Sequence, residues 1–340
     1  MKQLVIVVTV LVAMTGLTQR QHDAKAKPKA APPSPIFIFH PDEFWLNLHH
    51  FLYVLGRAEN KEPNASRAAV VKAPGDQEQG FARLSPKEKA LWREAVSAYA
   101  ATLSKKDLIF DDPLPAVTNA LARAGDARSP KFAGIDPSIA SILERAAPIY
   151  RRVWWPNHSD ANHNWQTEIQ SLVDRHGATI LRVITDAYQL RWPASGYNVH
   201  LSAYTNWAGA YSTRDNLLVV SSLDQAIHGA YGLETVFHEG MHQWDDQILR
   251  ALREQGNKVG KVVPRDLSHA LIFFTAGEAV RRVFPDHVPY AEQFGVWQRG
   301  MGPLKTIIEE VWKPYLNGHG TRDEAFAEIM RRTIAAPRSK

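Results

Sequence analysis

The sequence predicts an α+β fold, mainly helical, with one small sheet set late in the chain. Three observations carry that expectation. Residues 40 to 192 read as successive amphipathic helices punctuated by N-cap and proline signals. Residues 197 to 221 switch to short stretches of β-forming residues separated by turn residues. From about residue 233 the helical period returns and holds to about 334. Apolar residues make up 45% of the 340-residue chain, enough for a sizeable core.

The chain opens on Lys2 and a nearly unbroken apolar run from Leu4 to Leu17. That run is shorter than the ~20 residues of a membrane span and matches a secretory signal, so residues 1 to 24 are read as a signal peptide. The absence of cysteine excludes disulfides and a lipid anchor on cysteine. Together these point to a secreted or periplasmic bacterial protein with no stable membrane insertion once the signal is removed. Residues 25 to 39 are rich in Lys, Ala and Pro and read as a linker. A net charge of +5, spread without a basic tract, argues against a nucleic-acid partner.

The helical region, 40 to 192, begins with a helix from His40 to Glu59 whose broad apolar face includes Phe44, Leu48, Phe51 and Leu55. His49 and His50 sit about 100° apart on it, so packing is their expected fate. A polar stretch with Pro63, Pro74 and Gly75 follows. Ser85-Pro86-Lys87-Glu88 opens the next helix, to about Ser104. Further helices are expected near 113 to 124, 137 to 155 (entered through Asp136-Pro137), 160 to 175 and 178 to 191. His158 and His163 lie five residues apart, a poor spacing for a shared metal, and packing or substrate contact is expected of them.

The second region, 193 to 340, starts with strands at 197 to 204, 209 to 213 and 217 to 221. One helix is expected from 233 to 255 and another from 266 to 283, capped by Asp266. Three more follow at about 289 to 299, 303 to 315 and 321 to 334.

Inside the 233 to 255 helix, His238, Glu239 and His242 spell H-E-x-x-H. Positions four apart lie one turn above each other, so both imidazoles can face one cation. Neutral imidazole is a good Zn²⁺ ligand, and Glu239 projects beside the metal, where it can act as general base toward a water. Thr235, Val236 and Phe237 before the motif, and Gly240, Met241, Gln243 and Trp244 within and after it, are uncharged and contain no proline.

This pattern resembles the extended motif of the zincin metallopeptidases, over residues 234 to 278 only. The resemblance implies a zincin-like core, a small sheet before the active-site helix, one Zn²⁺ per chain and hydrolysis of peptide bonds. It also implies an edge strand that binds an extended peptide, for which Trp207 to Tyr211 is the candidate. A metzincin-type third ligand is excluded, because Asp245 and Ile248 stand where glycine and histidine would be needed. The gluzincin type takes a glutamate from the next helix, and that helix offers Glu278 and His269. If the first helix ends near Gln255 and the second returns antiparallel from Asp266, Glu278 comes back to the level of His242, and His269 stops about 15 Å short. Glu278 is therefore the expected third ligand, with His269 as the alternative. The plain alternative for Glu278 is an ion pair with Arg282.

Ligand histidines usually donate their other ring N–H to a carboxylate. Asp245 and Asp246 are near enough, and Asp246 is the better placed on a regular helix. An oxyanion donor is needed as well, with Tyr290 and Tyr211 the leading candidates beside Tyr231, His269 and His319. The sequence thus predicts an exported zinc peptidase acting on a peptide or protein substrate. The alternative is a catalytically inactive zincin-like scaffold that binds a peptide or cell-envelope partner.

Overall fold

Alternation in a few short strands decides where everything else packs. The computed structural model describes residues 34–60, 75–128, 132–213 and 217–333. The expected signal, the first part of the linker and the loop from 61 to 74 lie outside the described residues. The chain runs β1 (Phe37–His40), α1 (Phe44–Asn60), α2 (Gly75–Ala82), α3 (Pro86–Ala101), α4 (Leu114–Ala124), α5 (Pro137–Val153) and α6 (Trp155–Tyr188). There follow β2 (Tyr197–Ser202), β3 (Ala210–Ser212), β4 (Leu218–Ser221), α7 (Gly229–Met241), α8 (Asp245–Lys258) and α9 (Leu267–Arg281). The last elements are α10 (Tyr290–Gln293), α11 (Gly302–Leu316) and α12 (Arg322–Arg332). The mainly helical α+β class is as expected.

The four strands form one sheet in the order β1-β2-β4-β3. β1 and β2 are parallel, with Phe37 opposite Tyr197, and β2 and β4 are parallel, with Val199 opposite Leu218. β3 lies antiparallel on β4 and forms one edge. Because successive residues point to opposite faces, each face receives its own core. Phe37, Phe39, Val199, Leu201, Leu218 and Val220 bury against α6, α7 and α9. Tyr211, Leu217 and Val219 bury on the other side, against α1, α3, α4 and α5.

This arrangement corrects the expected boundaries. The linker does not extend to 39, since Phe37 to His40 is a sheet strand whose Phe37 is 3% exposed. The division at 192 is not where the cores separate. β1 and α6, both from the earlier stretch, build the core that carries α7, and from Ser34 onward the chain is one compact unit. The expected helices at 160 to 175 and 178 to 191 are one helix, α6. Gly177 is a contact point in it rather than a break. A Cβ there would come within 2.9 Å of the Ile36 side chain.

The caps expected at Ser85 and Asp136 are present, whereas Asp266 stands before α9 without a side-chain capping bond. Ser85 and Glu88 form a reciprocal box at the start of α3, and Thr321 and Glu324 another at α12. Asp136 accepts the Ser138 N–H at the start of α5. α7 is capped from a distance: Glu168 on α6 accepts the Gly229 N–H at 2.6 Å and pairs with His228 at 2.8 Å.

The expected helix from 233 to 255 is broken in the middle. α7 stops at Met241, residues His242–Trp244 form a 3₁₀ turn, and α8 starts at Asp245. Trp244 is drawn inward, where it packs edge-on against Trp192 at 5.7 Å and donates its indole N–H to the Arg191 carbonyl at 3.3 Å. The Gln243 side chain donates to the Gly240 carbonyl at 2.7 Å, compensating a helical bond lost at the break.

His49 and His50 on α1 are fully buried, as their packing role requires. His49 lies 3.0 Å from the Tyr99 hydroxyl, and His50 bridges Ser202 at 3.0 Å and Tyr211 at 2.8 Å. Burial lowers the His49 pKa from 6.5 to about 3, and burial with the neighbouring His49 lowers His50 as well. A histidine whose folded pKa is depressed takes up its proton only on unfolding. Its stabilisation is complete above pH 6.5 and is lost as pH falls from there toward 3. Between these limits each such histidine should cost about 1.4 kcal/mol per pH unit. Urea unfolding between pH 6.5 and 5 should therefore show a shallower loss in His49→Leu, by one proton, than in the parent chain. Equal slopes would mean that His49 is protonated in the folded protein.

Candidate metal centre

α7 carries His238 in its last full turn, and His242 opens the 3₁₀ turn that follows. His242 keeps right-handed helical angles, φ −60° and ψ −19°, so the four-residue spacing still stacks the two imidazoles on one face. α9 returns antiparallel beside α7 and brings His269 from its first turn. His238, His242 and His269 each offer one ring nitrogen, and these nitrogens lie within 4.8 Å of one another. The Nε2 atoms of His238 and His269 are 3.3 Å apart. Two nitrogens each ~2.0–2.1 Å from one tetrahedral zinc would be about 3.3–3.4 Å apart, so the His238–His269 pair already stands at that spacing, and the trio is close enough to hold a metal ion.

The surroundings suit neutral ligands. The Phe273 ring lies 4.0 Å from the His238 ring and 4.6 Å from the His269 ring, an apolar wall on one side. Burial holds His238 well below the usual range, helped by the two other imidazoles, and lowers His269 to about 3. At His242 burial also pulls downward, but the hydrogen bond to Asp245 and the charge of Glu239 outweigh it, and the net shift is upward. Asp245 Oδ2 lies 3.0 Å from His242 Nδ1 and orients that ring. His238 Nδ1 is buried and finds no hydrogen-bond partner among the described residues.

Glu239 is 8% exposed beside the trio. The Ser212 hydroxyl lies 2.9 Å from Glu239 Oε2 and 3.0 Å from the Glu239 carbonyl, so the last residue of β3 holds the carboxyl. Burial raises the Glu239 pKa, opposed by His242 and Ser212.

The structure brings together the motif residues His238, Glu239 and His242, with His269 as their companion. It corrects the third-ligand expectation at Glu278. The Glu278 Oε1 atom sits 3.1 Å from Arg281 and 3.4 Å from Lys313, apart from the trio. The depth argument assumed one continuous helix to 255. Instead α9 packs against α7, with His242 facing His269, His238 facing Phe273 and Glu234 facing Gly277. In that register Glu278 falls nine positions from the level of His242, about 13 Å along the helix.

Four other expectations shift. Asp246 is exposed, and the break at 242 to 244 puts Asp245 on His242 instead. Tyr211 turns its hydroxyl to His50 in the opposite core and cannot serve as an oxyanion donor at this site. His319 lies on the surface, bonded to the Pro314 carbonyl. Tyr290 stays on the motif side: its backbone N–H donates to Glu234 at 3.0 Å, and its ring packs with Tyr231 and Phe294. The expected edge at 207 to 211 is shifted slightly, to Ala210–Ser212. Ser212, Glu234 and His287 were not singled out from sequence. Only Asp245, three residues after a ligand in a helix, carried a readable signal.

Elemental analysis should find about one zinc per chain in the parent and in Glu278→Ala, and loss of it in His269→Ala. Asp245→Asn should weaken metal affinity by roughly 10- to 100-fold. Zinc kept by His269→Ala and lost from Glu278→Ala would restore the glutamate as third ligand. No family model, curated protein or solved structure matches the chain, so the geometry of this centre carries the functional argument.

Proposed function

We propose that the protein is a metal-dependent peptidase, with zinc held by His238, His242 and His269. The observation that carries this reading is the buried Glu239 carboxyl, fastened by Ser212 beside three convergent imidazoles. A structural zinc site closes with four protein ligands, whereas three ligands leave one position open for reacting groups. When bound there, Zn²⁺ polarises a carbonyl and makes a neighbouring water acidic enough to deprotonate near neutral pH.

The chain's own residues do the rest. Glu239 takes the proton of the attacking water and returns it to the leaving amine. Ser212 keeps the carboxyl from turning away, and Asp245 keeps the His242 ring in its ligating orientation. β3 offers an edge along which an extended peptide can pair, adjacent to Glu239 through Ser212. The Tyr290 hydroxyl is the candidate donor to the oxyanion that forms as water adds to the carbonyl. The apolar start of the chain supports export, and peptides or proteins outside the cytoplasm are the proposed substrates.

Glu239→Gln separates turnover from metal binding. The variant should keep its zinc and hydrolyse a mixed fluorogenic peptide pool about 10²- to 10⁴-fold more slowly than the parent. A variant as active as the parent would remove Glu239 from the chemistry. A metal-replete parent that cleaves no peptide in the pool would count against the peptidase assignment.

A further inference from the structure

Glu234 has no part in the chemistry above, yet at 1% exposed it is one of the most deeply buried acidic residues of the fold. It stands one turn before His238 on the same face of α7. Two groups of one segment, 287 to 290, converge on it. His287 Nε2 lies 2.6 Å from Oε2, and the Tyr290 backbone N–H lies 3.0 Å from both carboxyl oxygens. On the third side stands Gly277 of α9, where a Cβ would come within 3.3 Å of Glu234 Oε1 and 2.6 Å of the Pro289 side chain. The missing side chain is what lets the segment from 287 to 290 lie against α7.

A buried carboxyl is costly unless its oxygens are satisfied, and here the partners all lie on the segment that carries Tyr290. The Tyr290 ring packs against Phe294 at 4.5 Å and Tyr231 at 6.4 Å, which restricts its swing. Burial first, then Asp224, push its phenol up to about 12, with Glu239 and Glu234 adding to the rise, so it remains a donor at neutral pH. A donor to a developing oxyanion is effective only when it is already aimed, and a residue following a proline-containing loop needs an anchor to be so.

We propose that Glu234 is a positioning residue: through His287 and the Tyr290 backbone it holds the Tyr290 hydroxyl as donor to an oxyanion bound at the trihistidine centre. The inference rests on the metal-centre reading above and adds the device that orients the donor.

The test uses the full chain loaded with Co²⁺ and acetohydroxamate as the probe, an anion that binds open metal sites and changes the visible absorption of cobalt. Tyr290→Phe should raise the probe Kd roughly ten- to a hundredfold, the loss of one charge-assisted hydrogen bond. Glu234→Gln should raise it in the same direction, with metal content unchanged. The double variant should bind no more weakly than Tyr290→Phe alone, because both changes remove one interaction. Gly277→Ala, which pushes the segment away without altering either group, should act like Glu234→Gln and replaces it if that variant does not fold. Probe affinity at the parent value in Glu234→Gln and Gly277→Ala, with only the Tm lowered, would reduce the pair to a structural contact and overturn the proposal. Effects that multiply in the double variant would also overturn it. The expected pattern in a chain that hydrolyses no peptide would sink the peptidase reading and leave the positioning role intact. A parent chain that takes up no metal overturns both.

Discussion

The register between α7 and α9 decides which side chains can share one cation. His242 meets His269, His238 meets Phe273, and Glu234 meets Gly277, each step matched along two antiparallel helices. A slip of one turn, ~5.4 Å, would replace His269 by Phe273 at the centre. A buried polar knot on the far side of α9 holds the register. Thr275 lies 2.9 Å from the Tyr188 hydroxyl of α6, accepts the Trp312 indole N–H of α11 at 2.9 Å, and donates to the Leu271 carbonyl at 2.7 Å. The bonds to Tyr188 and Trp312, both buried side chains of other helices, form only if α9 stands at one height, whereas the bond to Leu271 lies within α9.

The same packing sets the charge state of the centre. Three imidazoles with ligand nitrogens within 4.8 Å cannot all be protonated away from water, since each positive charge would face two others in a poorly screened interior. Burial and mutual repulsion hold His238 and His269 neutral, the form a metal requires. At His242 burial also pulls downward, but Asp245 and Glu239 outweigh it and shift the ring upward, unlike its two companions. The carboxyls therefore serve a cation in general, whether proton or metal.

Local signals were legible in the sequence and relations between distant segments were not. The caps at Ser85 and Asp136, the strands around 197 to 221 and the helical turn that stacks His238 and His242 follow from short-range chemistry and appear where expected. The break at His242–Trp244 was hidden, because it depends on Trp244 finding Trp192 and the Arg191 carbonyl, some fifty residues earlier. That single unseen bend misplaced both Glu278 and Asp246. Tyr211 was misread for a similar reason: strand alternation puts it on one face or the other, and only the pairing of β3 with β4 tells which. Ser212, its neighbour, faces the motif for the same reason that Tyr211 faces away.

Histidine content alone would not have located the centre, because histidines occur throughout the fold. What separates them is how each ring is satisfied. His49 has Tyr99, His50 has Ser202 and Tyr211, and His163 has Asp42. His200 has Glu43, His228 has Glu168, and His287 has Glu234. Each of these rings is held by a hydroxyl or carboxyl of the fold, although His49 keeps a buried Nε2 with no partner among the described residues, and none of them shares converging ring nitrogens with two other imidazoles. His238 and His269 have only each other's Nε2 atoms, and His238 Nδ1 has no partner among the described residues. Buried polar atoms that meet mainly their own kind are unfavourable in a folded interior. A cation that accepts lone pairs from all three rings removes that conflict at once. The frustration of this trio, more than the motif that announced it, is the physical reason to read the site as a metal centre.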